Sequence, residues 1–286
     1  MKKLVCFGDS FIDSESWGGK YATHKLTGNY PIAVWLATKL NLPLINYGKS
    51  GSSIQYSLIS FLEYTRSKSY DPDDIFLFIV SNKNRFYQRA LDIHAWGAGS
   101  APQLISKYKQ ESINPNLPDE EVKLYFQKIL YLKENAKYID WVCMYHNEFS
   151  IDIESLGCLS LLNTWTLTNS NKLVVMNAFG LCDDTEHYLN LFKQSNNFLP
   201  ILLNGGLKKH SVNEFIGKEV HTLKWEDECR VNHFSPVNRE ILTDLLVSII
   251  NNNNTDMFDI ELFKTKMYND FADIYTTFNI TGPACI

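Results

Sequence analysis

Apolar residues open this chain in short unbroken runs, with helical spacing between them. Residues 3–7 read as a first buried strand, ending abruptly at Gly8-Asp9-Ser10. Asn29-Tyr30-Pro31 then predicts a helix start, with Asn29 as cap and Pro31 in the first turn. Ile32, Trp35, Leu36 and Leu40 keep one helical face through it. Leu44-Ile45-Asn46 is a short second strand. Ser52 or Ser53 caps a second helix, whose predicted face is Ile54, Leu58, Phe61 and Leu62. Asp71-Pro72-Asp73-Asp74 is a polar turn before Ile75-Phe76-Leu77-Phe78-Ile79-Val80, the longest apolar run of strand type. A strand without polar alternation is expected to be covered on both faces, as in a parallel sheet.

The middle of the chain differs. Residues 84–169 lean helical and are rich in aromatics, with a polar break near Ser112–Asp119. Strand patterns return at Lys172–Met176 and, more weakly, at Leu199–Leu203. Ser235-Pro236 opens a last helix with Ile241, Leu242, Leu245 and Ile249 on its predicted face. This βαβα rhythm predicts an α/β sandwich with a mostly parallel sheet over residues 1–250, carrying a helical insertion or cap over about 84–169. Asn251-Asn252-Asn253-Asn254 then reads as a hinge. Residues 251–286 form a C-terminal tail of helical spacing, expected to pack on the body or to join copies of the chain in a homo-oligomer.

Composition adds boundaries. The 286 residues are 45% hydrophobic and 21% charged, enough for a sizeable core. A net charge of −5 argues against nucleic-acid binding by phosphate neutralisation. The six cysteines are scattered and form no Cys-x-x-Cys pair, which gives no support to a zinc ribbon or a thioredoxin-type motif. No run approaches the length of a membrane span. Met1-Lys2-Lys3 has the charge of a signal-peptide start, yet the apolar run before Gly8 is too short to complete one. The expectation is a cytoplasmic chain with free thiols.

Four polar pieces then fall in a suggestive order. Ser10 follows the first strand, Asn46-Tyr47-Gly48-Lys49-Ser50-Gly51-Ser52 the second, and Ser81-Asn82 the third; His233 precedes the last helix. In an open parallel sheet the carboxyl ends of the strands share one edge, where ligands bind. A serine there becomes a nucleophile when a histidine takes its proton. Attack on a carbonyl builds charge on oxygen, which donors fixed in advance must meet. The N–H of Ser10, the N–H of Gly51 and the side-chain amide of Asn82 are donors of the right kind.

These blocks resemble the GDSL, or SGNH, hydrolase superfamily. Phe7-Gly8-Asp9-Ser10-Phe11 is similar to its nucleophile block, Asn46-x-Gly48-x-x-Gly51 to its second, Asn82 to the asparagine of its third, and His233 with the following Phe-Ser-Pro to its last. The resemblance spans roughly residues 3–250. It implies a three-layer α/β/α sandwich with a flavodoxin-like sheet. It also implies hydrolysis of a short acyl ester, such as an O-acetyl carbohydrate, without a cofactor or metal. Ser10 is then the nucleophile, His233 the base, and Ser10, Gly51 and Asn82 the oxyanion hole. Two positions depart from the family. Its third block reads Gly-x-Asn-Asp, against Val80-Ser81-Asn82-Lys83 here, so Ser81 is an alternative donor if the turn shifts by one. Its last block has an aspartate three residues before the histidine, where this chain has Arg230. Asp227 is the favoured acid, with Glu228, or a backbone carbonyl in a Ser10–His233 dyad, as alternatives. The departures also leave open a binding module that has lost turnover, or an acyltransferase on the same site.

Other motifs fare less well. His146-Asn147-Glu148 has no Pro-Cys-x-x-Cys after it, which a zinc deaminase needs. Gly97-Ala98-Gly99 lacks the spacing of a phosphate loop, and Asn204-Gly205-Gly206 is turn chemistry.

Overall fold

The computed structural model describes residues 1–9, 11–12, 32–49, 52–81, 85–88, 93–96, 101–115, 117–137, 148–178, 180–181, 195–203, 206–207 and 236–258. In chain order the elements are β1 (Leu4–Phe7), α1 (Ile32–Leu40), β2 (Leu44–Asn46), α2 (Ile54–Thr65), β3 (Ile75–Val80), β4 (Arg85–Gln88) and β5 (Ile93–Trp96). They continue with α3 (Ala101–Ser112), α4 (Asp119–Glu134), α5 (Glu148–Thr168), β6 (Lys172–Asn177), β7 (Phe198–Ile201) and α6 (Pro236–Asn252). A short 3₁₀ turn, Thr255–Met257, follows.

Five strands form one parallel sheet in the order β2-β1-β3-β6-β7. Leu4 pairs with both Leu44 and Ile75, so β1 lies between β2 and β3. Counted within this sheet alone the order is 2-1-3-4-5, the flavodoxin-like winding, with its switch point between β1 and β3.

Side chains alternate across the pleat into two cores. On one face Leu4, Cys6, Leu77, Ile79, Val174 and Met176 pack with Ile32 and Leu36 of α1 and Leu242, Leu246 and Ile249 of α6. On the other, Val5, Phe7, Phe76, Phe78, Val80 and Val175 pack with Phe61 and Tyr64 of α2 and Leu159 and Leu162 of α5. All six residues of β3 are buried, which accounts for its unbroken apolar run. The result is the expected three-layer α/β/α sandwich. The second core is aromatic: Phe61 meets Trp165 edge-on at 5.0 Å, Phe7 at 5.4 Å and Phe76 at 5.6 Å.

Three details differ from the sequence expectation. First, residues within 85–96 form an antiparallel hairpin, with Arg85 opposite Trp96 and Gln88 opposite Ile93, rather than helix. Arg-Phe-Tyr-Gln and Ile-His-Ala-Trp carry the aromatic and β-branched residues that suit a pleated surface, and runs this short have no readable period. Second, α5 packs directly on the sheet, while α3 and α4 share a small core of their own built on Ala101, Leu104, Tyr108, Ile129 and Leu132. Third, several helix faces are rotated. Ala33 and Ala37 of α1, Ser57 and Ser60 of α2 and Leu246 of α6 are buried, and Leu58, Leu62, Ile241 and Leu245 are half-buried. Small residues facing the sheet let α1 and α2 lie close to it, and the larger apolar side chains flank the contact.

The asparagine run ends a helix. Asn251 and Asn252 continue α6, Asn253 takes the left-handed conformation (φ 55°), and the Asn254 side chain accepts the Asp256 N–H at 2.9 Å. The rest of the expected tail lies outside the described residues. Among the described residues no helix is long and apolar enough to cross a membrane.

The amino-terminal edge of the sheet is closed by one carboxylate. Asp74, fully buried, accepts from the Lys3 N–H at 2.8 Å, the Tyr64 hydroxyl at 2.6 Å and the Asp71 N–H at 3.0 Å, and the Lys3 ammonium lies 3.4 Å away. Burial, then the Asp74 carboxylate, holds the Tyr64 phenol above its ordinary range. The folded state therefore retains a proton that the unfolded chain releases from about pH 10 upward. Stability is intact below that pH and falls as pH rises beyond it. The thermal midpoint of the wild type is expected to drop more steeply between about pH 9 and pH 11 than that of Tyr64→Phe. Parallel slopes would show that Tyr64 does not carry the loss. At neutral pH the variant should be less stable by about 1–3 kcal/mol, as Asp74 loses a donor.

Candidate active site

β1, β2 and β3 end side by side at the switch point. The ladder stops there, so the chain beyond each strand needs other partners for its buried polar groups. Gly8 follows β1 with φ 154°, and a Cβ at this position would lie 3.0 Å from Ile79 Cβ and 3.2 Å from Ile79 O. Only glycine lets the backbone pass this close to β3.

The Gly8 carbonyl accepts from the Lys49 N–H at 3.0 Å and from the Ser52 hydroxyl at 2.9 Å. It thereby binds the end of β1 to the loop after β2. The Asn46 amide ties the same two segments: Nδ2 donates to the Ile12 carbonyl at 2.8 Å, and Oδ1 accepts the Gly48 N–H at 2.8 Å. Ser53, not Ser52, caps α2, accepting the Tyr56 N–H at 3.2 Å. The Ser52 hydroxyl is thus committed to Gly8.

Asp9 is fully buried. Its Oδ1 accepts the Phe11 N–H at 3.2 Å and its carbonyl accepts the Ile12 N–H at 3.0 Å, which closes a turn. Asp9 therefore shapes the turn. Ser81, directly after β3, is 1% exposed. Its hydroxyl donates to the Ser52 carbonyl and lies 3.3 Å from Asp9 Oδ2. That proton is engaged within the buried network. On the far side of β3, Ala178 N–H donates to the Val80 carbonyl at 2.8 Å. The Asn177 side chain bridges to the backbone of Leu203, donating at 2.9 Å and accepting at 2.8 Å. Among the described residues the carboxyl edge is cross-linked by polar groups from β1 to β7.

The residues expected to do chemistry, Ser10, Gly51, Asn82, Asp227 and His233, lie outside the described residues, as does Glu228. Sequence reasoning did not foresee the roles of the Ser52 and Ser81 hydroxyls. For Ser52 the only signal was excess: two serines directly precede α2 and one suffices as a cap. The described thiols are unsuited to act as nucleophiles at neutral pH. Burial pushes Cys158 up to about 12 and raises Cys6 as well. Among the described residues no group of three or more His, Cys, Asp or Glu is arranged to hold a metal ion.

The fold is thus a doubly wound parallel α/β sandwich with a tightly built carboxyl edge. No family model matches the chain, and no curated protein matches it. Among solved structures it is similar to an acetyl xylan esterase from the rumen bacterium Butyrivibrio proteoclasticus. The TM-score is 0.43 at 11% identity, over 90% of this chain and 65% of that one. It is also similar to a carbohydrate esterase whose active site is described as having divergent catalytic and non-catalytic binding functions. There the TM-score is 0.40 at 12% identity, over 90% of this chain and 67% of that one. The chain spans about two thirds of the length of each, and at these scores neither likeness bears on its chemistry.

Gly8→Ala is expected to destabilise the protein by about 2–4 kcal/mol, from strained φ and contact with Ile79 together. Urea denaturation reads this as a lower midpoint with an unchanged slope. A loss below about 0.5 kcal/mol would show that the turn relaxes freely.

Proposed function

We propose that this chain is a serine-dependent ester hydrolase of the GDSL/SGNH kind. The observation that carries the reading is the interlock at the switch point. The Gly8 carbonyl, Asp9, Ser52 and Ser81 are joined by hydrogen bonds. In the chain, Asp9 precedes Ser10, Ser52 follows Gly51 and Ser81 precedes Asn82. An acyl-transfer site needs nucleophile and oxyanion donors held in register before substrate arrives, because donors that must reorganise stabilise the transition state less.

In this mechanism the Ser10 hydroxyl attacks the acyl carbon while His233 takes its proton. The oxyanion is met by the N–H groups of Ser10 and Gly51 and by the Asn82 amide. The imidazolium returns its proton to the leaving alkoxide, and the alcohol departs. Water, deprotonated by His233, then attacks the acyl-enzyme and releases the acid. Asp227 is assigned the role of orienting the imidazole. The substrate is a short acyl ester, with an O-acetyl carbohydrate as the favoured class on the family resemblance.

Hydrolysis of p-nitrophenyl acetate is expected to fall about 10³-fold or more in kcat for Ser10→Ala. Asp227→Asn should lower kcat by up to about 10⁴-fold if that carboxylate orients the base. An unaffected Asp227→Asn enzyme would instead favour Glu228 or the dyad. Equal rates for wild type and Ser10→Ala, with no fluorophosphonate labelling of folded protein, would leave a binding module without turnover.

A further inference from the structure

We propose that the Ser81 side chain is the positioning group of this site, granted the esterase reading above: its one hydroxyl holds the nucleophile turn and the oxyanion loop in register. Three observations converge on it. Ser81 is buried at the end of β3, the central strand beside the switch point. Its hydroxyl donates to the Ser52 carbonyl, with Asp9 Oδ2 at 3.3 Å sharing the proton. Each of these two partners is otherwise pinned at other atoms.

Among the described residues Ser52 is held through its N–H, its hydroxyl and its carbonyl. Its N–H donates to the Lys49 carbonyl at 3.0 Å, its hydroxyl to the Gly8 carbonyl at 2.9 Å, and its carbonyl accepts from Ser81. Asp9 is held in the same way, through Phe11 N–H at 3.2 Å, Ile12 N–H at 3.0 Å and Ser81. Ser81 contacts both. The other ties between the two segments, from Ser52 and Lys49 to the Gly8 carbonyl and from Asn46 to the Ile12 carbonyl, fix the backbone of the turn but not the Asp9 carboxylate. Without the Ser81 oxygen, Ser52 and Asp9 each lose a donor, and the β3 end is no longer hydrogen-bonded to either loop through this side chain.

A positioning group acts through geometry, so its removal should lower turnover and leave binding nearly unchanged. The test compares Ser81→Ala, Ser81→Cys and Ser81→Thr with the wild type. It reads kcat and KM on p-nitrophenyl acetate, together with backbone amide exchange. Ser81→Ala is expected to lose about 10²-fold in kcat with KM within about twofold. Exchange at the Phe11, Ile12, Lys49 and Ser52 amides should quicken about tenfold or more, while amides inside α6 keep the wild-type rate. Cysteine keeps the size but is a weak donor and should follow alanine; threonine keeps the hydroxyl and should follow wild type. Unchanged exchange at those four amides in Ser81→Ala overturns the proposal, whether or not the protein cleaves esters. So does an unchanged kcat when the wild type is active. A wild type that cleaves no ester, with exchange quickened in Ser81→Ala, overturns the esterase reading and supports the loop-holding role.

Discussion

The carbonyl of Gly8 is the point on which the carboxyl edge depends. It is the first acceptor beyond the β1 ladder, and it takes two donors from the loop after β2, the Lys49 N–H and the Ser52 hydroxyl. A carbonyl has two lone pairs, and both are used here. The bonds form because Gly8 turns away from the strand at φ 154°, and that turn is possible because nothing projects from its Cα toward Ile79. One missing side chain thus sets the direction of the chain into Asp9 and lets a second loop dock on the first.

The sandwich makes such a dock affordable. Both faces of the sheet are sealed, by α1 and α6 on one side and α2 and α5 on the other. Apolar burial supplies the favourable free energy, at roughly 25 cal/mol per Å². The buried polar groups at the two strand edges are satisfied there, since a bonded buried group costs little and an unbonded one costs about 1–3 kcal/mol. Each edge is organised around one buried aspartate. Asp74 at the amino edge gathers two backbone N–H groups and the Tyr64 hydroxyl, with the Lys3 ammonium close by. Asp9 at the carboxyl edge takes the Phe11 N–H and faces the Ser81 hydroxyl. The first arrangement closes a sheet. The second links the segments that follow β1, β2 and β3.

The layers were legible in the sequence because burial on both faces leaves an unbroken apolar run, and Ile75–Val80 is one. β2 matches its predicted span, and α6 begins at the proline the sequence marked. What was not legible has physical causes. The hairpin of β4 and β5 has four-residue strands, too short for a period to emerge. The helix faces were misjudged at Ala33, Ala37, Ser57 and Ser60, because hydrophobic spacing marks the large residues while close packing selects the small ones. At the carboxyl edge, the placing of Gly8-Asp9, Tyr47–Lys49 and Ser81 directly after β1, β2 and β3 could be read from the chain. The division of labour between Ser52 and Ser53 could not, since two adjacent hydroxyls are equivalent until the backbone assigns one to a cap and the other to Gly8.

The pairing of Val80 with Ser81 at the end of β3 is then intelligible. Val80 is the last residue of β3, fully buried in the aromatic core with Phe7 and Phe78, so its side chain lengthens the strand's packed face by one position. A glycine there would gain backbone freedom and forfeit that contact. A strand packed to its end is stiffer at the end, and the residue that follows inherits a fixed direction. Ser81 inherits one that aims its hydroxyl back at the two neighbouring loops. Packing of the strand and cross-linking of the loops are in this way one device: the valine fixes where the serine stands, and the serine fixes what stands beside it.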